Sequence, residues 1–182
     1  MSRIAPLEPP YASDMESLFR LVMPEGAPPL LLFRVLGRSA RVFSRFMRSA
    51  LLDRGPVSIH DRELIILRTT ARCSSEYEWG VHAVAFGAKA GFSEALVDAT
   101  KTATGDDPVW TTEQARIIRF VDELHDTQTL SDGLWSSLRE VYSDEQVIEM
   151  VYLVGQYHAV SFFTNAFRLA PEPFGRRFDS SK

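Results

Sequence analysis

RELIILRTTARCSSEYEWGVHAVAFGAKAG, running from Arg62 to Gly91, is the stretch whose reading decides the fold. It reads as two helices with a tight joint at Cys73 to Ser75. On the second helix Ser75, Glu78 and His82 are separated by three and then four residues, which stacks them on one face. Glu63 lies on the preceding helix, and an antiparallel return of the pair brings its carboxylate towards the same pocket. A carboxylate one turn from an imidazole is an acid-base pair: Glu78 holds His82 in one tautomer, and His82 exchanges a proton with substrate near neutral pH. Ser75 supplies a hydrogen bond, and a buried Glu63 beside a second carboxylate acts as a general acid or a protonated donor.

The same residues also have plainer roles. Ser75 and Glu78 have the spacing of a capping box. Tyr77 and Trp79 read as packing aromatics. Cys73, at a helix end, is either a small buried hydrophobe or a thiol activated by the terminus and by Arg72. Further along, Tyr157, His158, Ser161 and Asn165 lay a polar stripe on an otherwise apolar helix. Tyr157, His158 and Asn165 are either a wall of the same pocket or part of an interhelical hydrogen-bond network.

Outward from this core, helix starts are legible because Ser or Thr followed three residues later by Glu or Gln marks an N-terminus. The pattern occurs at Ser13 to Glu16, Ser75 to Glu78, Thr111 to Gln114 and Ser143 to Gln146. Ser58, Ser93 and Ser131 cap three more starts. The expected helices cover residues 14–23, 30–53, 59–73, 76–90, 94–103, 112–127, 132–140 and 145–169. No segment alternates apolar and polar residues like a strand. The prediction is an all-α bundle of about eight helices. Residues 1–182 form one domain, with an N-terminal helical extension over 1–55, core helices over 58–103 and C-terminal helices over 111–170.

A hydrophobic fraction of 45% over 182 residues predicts a packed core. The net charge of −4 supplies no overall attraction for nucleic acid or an anionic membrane. Arg34, Arg38, Arg41, Arg45 and Arg48 lie at helical spacing and predict a basic stripe along one helix, solvated or subunit-pairing. One cysteine excludes an intrachain disulfide and an all-cysteine metal site, and fits a reducing compartment. The N-terminus lacks an apolar secretory region, so a cytoplasmic protein is expected. Residues 150–167 hold no charge, but Gln156, His158, Ser161, Thr164 and Asn165 argue against a membrane span.

The stretch from Arg62 to Val97, about a fifth of the chain, resembles the core of the carboxymuconolactone decarboxylase superfamily, which includes alkylhydroperoxidase D. The later helix VIEMVYLVGQYHAVSFFTNAF, with PEP beyond it, is similar to the trailing helix of a branch with an EYEW..H motif. The thiol-dependent branch carries Glu, eleven residues, Cys, two residues, Cys, three residues, His. Glu63 and His82 match; Ser75 and Glu78 stand where the cysteines would be, and neither can cycle through a disulfide. Cys73 lies two residues before the first of those positions, about 200 degrees round a helix, and is expected to face away from Glu78 and His82. The resemblance implies the alkylhydroperoxidase D type of helical bundle. It also implies a homo-oligomer (dimer, trimer or hexamer) with sites near subunit interfaces.

These readings lead to a cofactor-free, metal-free enzyme that decarboxylates or isomerises a small lactone or keto-acid-like molecule through His82, Glu78, Glu63 and Ser75. One alternative is an antioxidant peroxidase using Cys73 as a single thiol. Another is a non-enzymatic oligomer that binds a small ligand or a partner through the arginine stripe. Zinc or iron held by His82, Glu63 and Glu78 is a further option on ligand chemistry alone.

Overall fold

The computed structural model describes residues 2–51 and 53–178, and every described regular element is helical. The helices are α1 (Ser13–Arg20), α2 (Leu31–Leu36), α3 (Ala40–Ser49), α4 (Ile59–Arg72), α5 (Glu76–Ala85), α6 (Glu94–Thr102), α7 (Thr112–Thr127), α8 (Asp132–Arg139) and α9 (Asp144–Ala166). Helix α4 occupies the centre and packs against α5, α6, α7 and α9. Its run from Arg62 to Thr70 is buried all round, as expected of a helix with neighbours on every side. The main apolar core draws on residues from Met15 to Leu169, with Phe43, Phe120, Leu64, Ile65, Ile66 and Met150 fully enclosed. A smaller cluster of Leu67, Trp79 and Val97 fills the gap between α4, α5 and α6.

Most helix starts follow their sequence signals. Thr111 with Gln114 and Ser143 with Gln146 form complete capping boxes at α7 and α9. Ser58, Ser93 and Ser131 accept from backbone N–H groups in the first turns of α4, α6 and α8. Each such cap is worth about 1 kcal/mol. Ser13 and Ser75 cap nothing through their side chains: Ala12 precedes α1, and the Ser75 hydroxyl is used elsewhere.

The helix expected over 30–53 is two helices. Gly37 ends α2, and Ser39, in extended backbone, restarts the chain by accepting from Val42 N. Leu52, near the end of that expected span, lies outside the described residues. The break also divides the arginine stripe. Arg34 pairs with Glu8 and donates to the Leu7 carbonyl, and Arg38 donates to the Ala5 and Pro6 carbonyls. Both therefore fasten the N-terminal segment, and only Arg41, Arg45 and Arg48 remain on α3. Helix α5 also ends earlier than expected, at Ala85.

No helix among the described residues is long and apolar enough to cross a membrane. A turn at the α4–α5 joint, with Ser74 at φ 53°, returns the chain antiparallel to α4. Gly80 on α5 meets the backbone of Arg176, whose N–H donates to the Gly80 carbonyl at 3.2 Å. A Cβ at this position would sit 2.2 Å from the Arg176 carbonyl oxygen, so only glycine permits the approach.

Candidate active site

The antiparallel return places Glu63 of α4 directly beside His82 of α5. His82 Nδ1 lies 2.7 Å from Glu63 Oε2, and the other carboxylate oxygen, Oε1, accepts from Arg62 Nε at 3.0 Å. On the far side of the ring, His82 Nε2 is 3.3 Å from Glu78 Oε1 and 3.1 Å from the Tyr157 hydroxyl on α9. Glu63 is fully buried, and His82, Glu78 and Tyr157 are each less than a tenth exposed. Glu78 Oε2 is buried without a hydrogen-bond partner among the described residues. Phe86, half-buried, stacks on the imidazole with ring centroids 5.0 Å apart, and the Arg62 guanidinium lies over the Phe86 ring.

Burial is the largest single influence on His82 and favours its neutral form. The charge and hydrogen bond of Glu63, joined by Glu78, outweigh it and raise the imidazole from its ordinary 6.5 to about 9. Burial and the same two carboxylates hold the Tyr157 phenol well above its ordinary range. The site at neutral pH is therefore an imidazolium clamped between two glutamates, with a protonated phenol on its Nε2 side. The folded protein holds the His82 proton more tightly than the unfolded chain does. The resulting stabilisation, about 3 kcal/mol, is complete below pH 6.5 and is lost as pH rises through 9. Urea unfolding midpoints measured from pH 6 to 10 are expected to fall across this window, and a midpoint that stays flat would contradict the assignment.

The sequence reading gave Glu78 the orienting role; in the structure the short bond belongs to Glu63. Ser75 lies at the base of α5, where its hydroxyl is 2.8 Å from Thr164 Oγ1 on α9 and fixes the joint rather than touching the imidazole. The C-terminal stripe divides. Tyr157 joins His82, whereas His158 and Asn165 meet residues around Cys73. His158 Nε2 is 3.0 Å from His125 Nδ1, and Asn165 Nδ2 donates to the Cys73 carbonyl at 2.8 Å. The Cys73 thiol is half-buried, 3.9 Å from His125 Nδ1. Burial pushes that thiol up more than the Ser161 hydrogen bond and the Arg72 charge pull it down. Sequence reasoning passed over His125, because a histidine in the last turn of an amphipathic helix carries no signal until its neighbours are known.

A cleft of about 620 Å³ lies elsewhere, near the N-terminus, lined by residues such as Tyr11, Phe19 and Met23. It contains none of the residues around His82.

No family model and no curated protein matches the chain. Solved structures do. An uncharacterized peroxidase-related protein from Ralstonia eutropha JMP134, described as an alkylhydroperoxidase AhpD core, superposes with a TM-score of 0.82 at 16% identity, over 94% of this chain and 93% of that one. An uncharacterized peroxidase-related protein from Silicibacter sp. TM1040 gives 0.81 at 13% identity, over 94% and 92%. A protein of unknown function from Agrobacterium tumefaciens, associated in its description with antioxidant defence protein AhpD, gives 0.64 at 19% identity, over 75% and 94%. The chain thus has the fold of the alkylhydroperoxidase AhpD core, as the motif around Glu63 and His82 led us to expect.

Proposed function

We propose that this protein is a carboxymuconolactone decarboxylase-like enzyme that moves protons on a small organic molecule through His82, without a cofactor. The observation that carries this reading is the engagement of both imidazole nitrogens, Nδ1 by the enclosed Glu63 and Nε2 by Glu78 and Tyr157. Glu63 fixes the ring and supports its cationic form, while Nε2 is the atom that gives and takes the proton. Glu78, with one oxygen on His82 and the other without a hydrogen-bond partner among the described residues, accepts a proton or a hydrogen bond from substrate. The Tyr157 phenol stabilises negative charge developing on a carbonyl or enolate oxygen. Phe86 is the cover that a substrate displaces. A β-keto acid or an unsaturated lactone suits this set, because both decarboxylation and isomerisation pass through an enolate that is reprotonated at carbon. Incubating the protein with such compounds in deuterium oxide, followed by proton NMR, tests the reading. Enzyme-dependent deuterium incorporation or loss of carbon dioxide is expected, slowed about 10²–10⁴-fold in His82→Asn and Glu78→Gln. Wild-type turnover equal to that of either variant would overturn it.

One observation favours a second reading, antioxidant peroxidase activity: the half-exposed Cys73 thiol lies beside His125. The peroxidase-related descriptions of the structural neighbours agree with it. In this chemistry the thiolate attacks a hydroperoxide oxygen, the alcohol leaves, and an external thiol reduces the resulting sulfenic acid. Hydroperoxide consumption unchanged in Cys73→Ser removes this reading.

Homo-oligomerisation is proposed through the outer face of α9. Ile148, Val151, Tyr152 and Phe162 are exposed there at helical spacing, Ile148 at 70% and Phe162 at 67%. Light scattering is expected to report a multimer for the wild type and a smaller species for Phe162→Glu.

A further inference from the structure

We propose that Cys73, His125 and His158 form a binding site for a single zinc-class metal ion, separate from the His82 cluster. Each of the three offers one ligand atom, and these atoms all lie within 4.8 Å of one another. They come from three elements: the C-terminal end of α4, the last turn of α7 and the middle of α9. Tetrahedral zinc with sulfur at 2.3 Å and nitrogen near 2.05 Å separates its ligand atoms by roughly 3.3–3.7 Å. The Cys73 Sγ to His125 Nδ1 distance of 3.9 Å and the His125 Nδ1 to His158 Nε2 distance of 3.0 Å fall within a few tenths of an ångström of that range. The third edge, from Cys73 Sγ to the His158 ligand nitrogen, is at most 4.8 Å, and rotation of the Cys73 and His158 side chains closes it around a bound ion.

The hydrogen bonding around His158 has the pattern a metal ligand needs. Its Nδ1 donates to the Val154 carbonyl at 2.8 Å, which fixes the tautomer and leaves the Nε2 lone pair facing His125 and Cys73. Ligating histidines usually have such an outer partner on the second nitrogen. With Nε2 of His158 an acceptor, the 3.0 Å contact makes His125 Nδ1 the donor in the metal-free protein. Metal binding moves that proton to His125 Nε2 and releases the Cys73 thiol proton to solvent, so that two imidazole lone pairs and one thiolate converge. The neighbouring charges balance: Arg72 is 3.5 Å from Asp122 and 2.5 Å from Asp126, so its cation is offset by carboxylates on the helix that carries His125. Asn165, through the Cys73 carbonyl, holds the α4 end against α9. All three ligands are partly exposed, so an ion enters from solvent and keeps a fourth position for water or another small ligand.

Cobalt(II), titrated into the chelator-treated full-length protein, tests this. Expected is one equivalent per chain, giving a near-ultraviolet thiolate-to-cobalt band and strong visible bands of four-coordinate geometry, both displaced by zinc. Cys73→Ser should abolish the near-ultraviolet band. His125→Gln and His158→Gln should each weaken binding by at least the ~10–100-fold that loss of an outer partner alone costs. Glu78→Gln should titrate like the wild type. Zinc should also slow alkylation of Cys73, the opposite of an open, activated thiol. Absence of the thiolate band in the wild type overturns the proposal whether or not the variants fold. So does wild-type affinity in both histidine variants, which would mean adventitious binding by the thiol. A titration abolished by Glu78→Gln overturns it too, since it would place the ion at His82.

Discussion

Glu63→Ala is expected to destabilise the protein by about 3–5 kcal/mol, the range for removing one member of a buried charged network. Glu63 is fully enclosed and serves two cationic partners at once, Arg62 through Oε1 and His82 through Oε2. Those partners respond differently to its loss. Arg62 keeps its charge and loses a carboxylate. His82 loses the influence that outweighs burial, so its affinity for a proton falls towards that of a neutral buried imidazole. The loss of stability between pH 6.5 and 9 should shrink along with the total. Glu63→Gln retains a hydrogen-bonding oxygen and should lie between the wild type and the alanine variant. Urea unfolding at pH 6 and pH 9.5 checks both effects; an alanine variant with the full pH dependence would mean that Glu63 does not set the state of His82.

Asp122→Ala is expected to cost a similar amount, about 3–5 kcal/mol, and clearly more than Arg68→Met. The Arg68 side chain is 3% exposed, whereas that of Asp122 is 23% exposed. Its Nε and Nη2 each donate to Asp122 at 2.7 Å, and Nη1 donates to the Thr100 carbonyl. Removing the carboxylate strands a buried guanidinium on one carbonyl. Removing the guanidinium leaves a carboxylate that still reaches Arg72 and water. Combining Arg68→Met with Asp122→Leu should recover most of the loss, since well-packed apolar groups often replace a buried ion pair without cost. Equal losses in the two single variants would mean that burial does not decide which partner matters.

Much of this architecture was legible in local sequence, because helix caps are local chemistry. Thr111 and Ser143 cap as their spacing predicts, and Ser58, Ser93 and Ser131 cap at the starts expected of them. Ser75 has an equally good local signature and does not cap. Its hydroxyl finds Thr164, 89 positions away, and no local pattern contains that competitor. Within the site, Glu63 and His82 were legible through the motif, and their pairing needed only an antiparallel return. Tyr157 and His158 are adjacent in one polar stripe, yet they serve different clusters, because successive helix residues point about 100 degrees apart. The division of 30–53 into two helices was missed because the apolar and arginine periodicity runs across Gly37 and Ser39, and Ser39 caps α3 with Val42, not Glu or Gln, three residues on.

The contact between Gly80 and Arg176 makes the helix that carries His82 sensitive to what is attached far away in sequence. Ser75 fixes the base of α5 to α9, and a second fixing, shared by Gly80, Glu76 and Tyr77, holds the helix to the C-terminal segment. A purification tag or fusion partner that pulls on the C-terminal segment loads the second fixing and, through it, the register of His82 against Glu63. For practical work on this protein, an N-terminal tag is the better choice for kinetic comparison. A C-terminal fusion becomes a lever for asking how little displacement the imidazole tolerates.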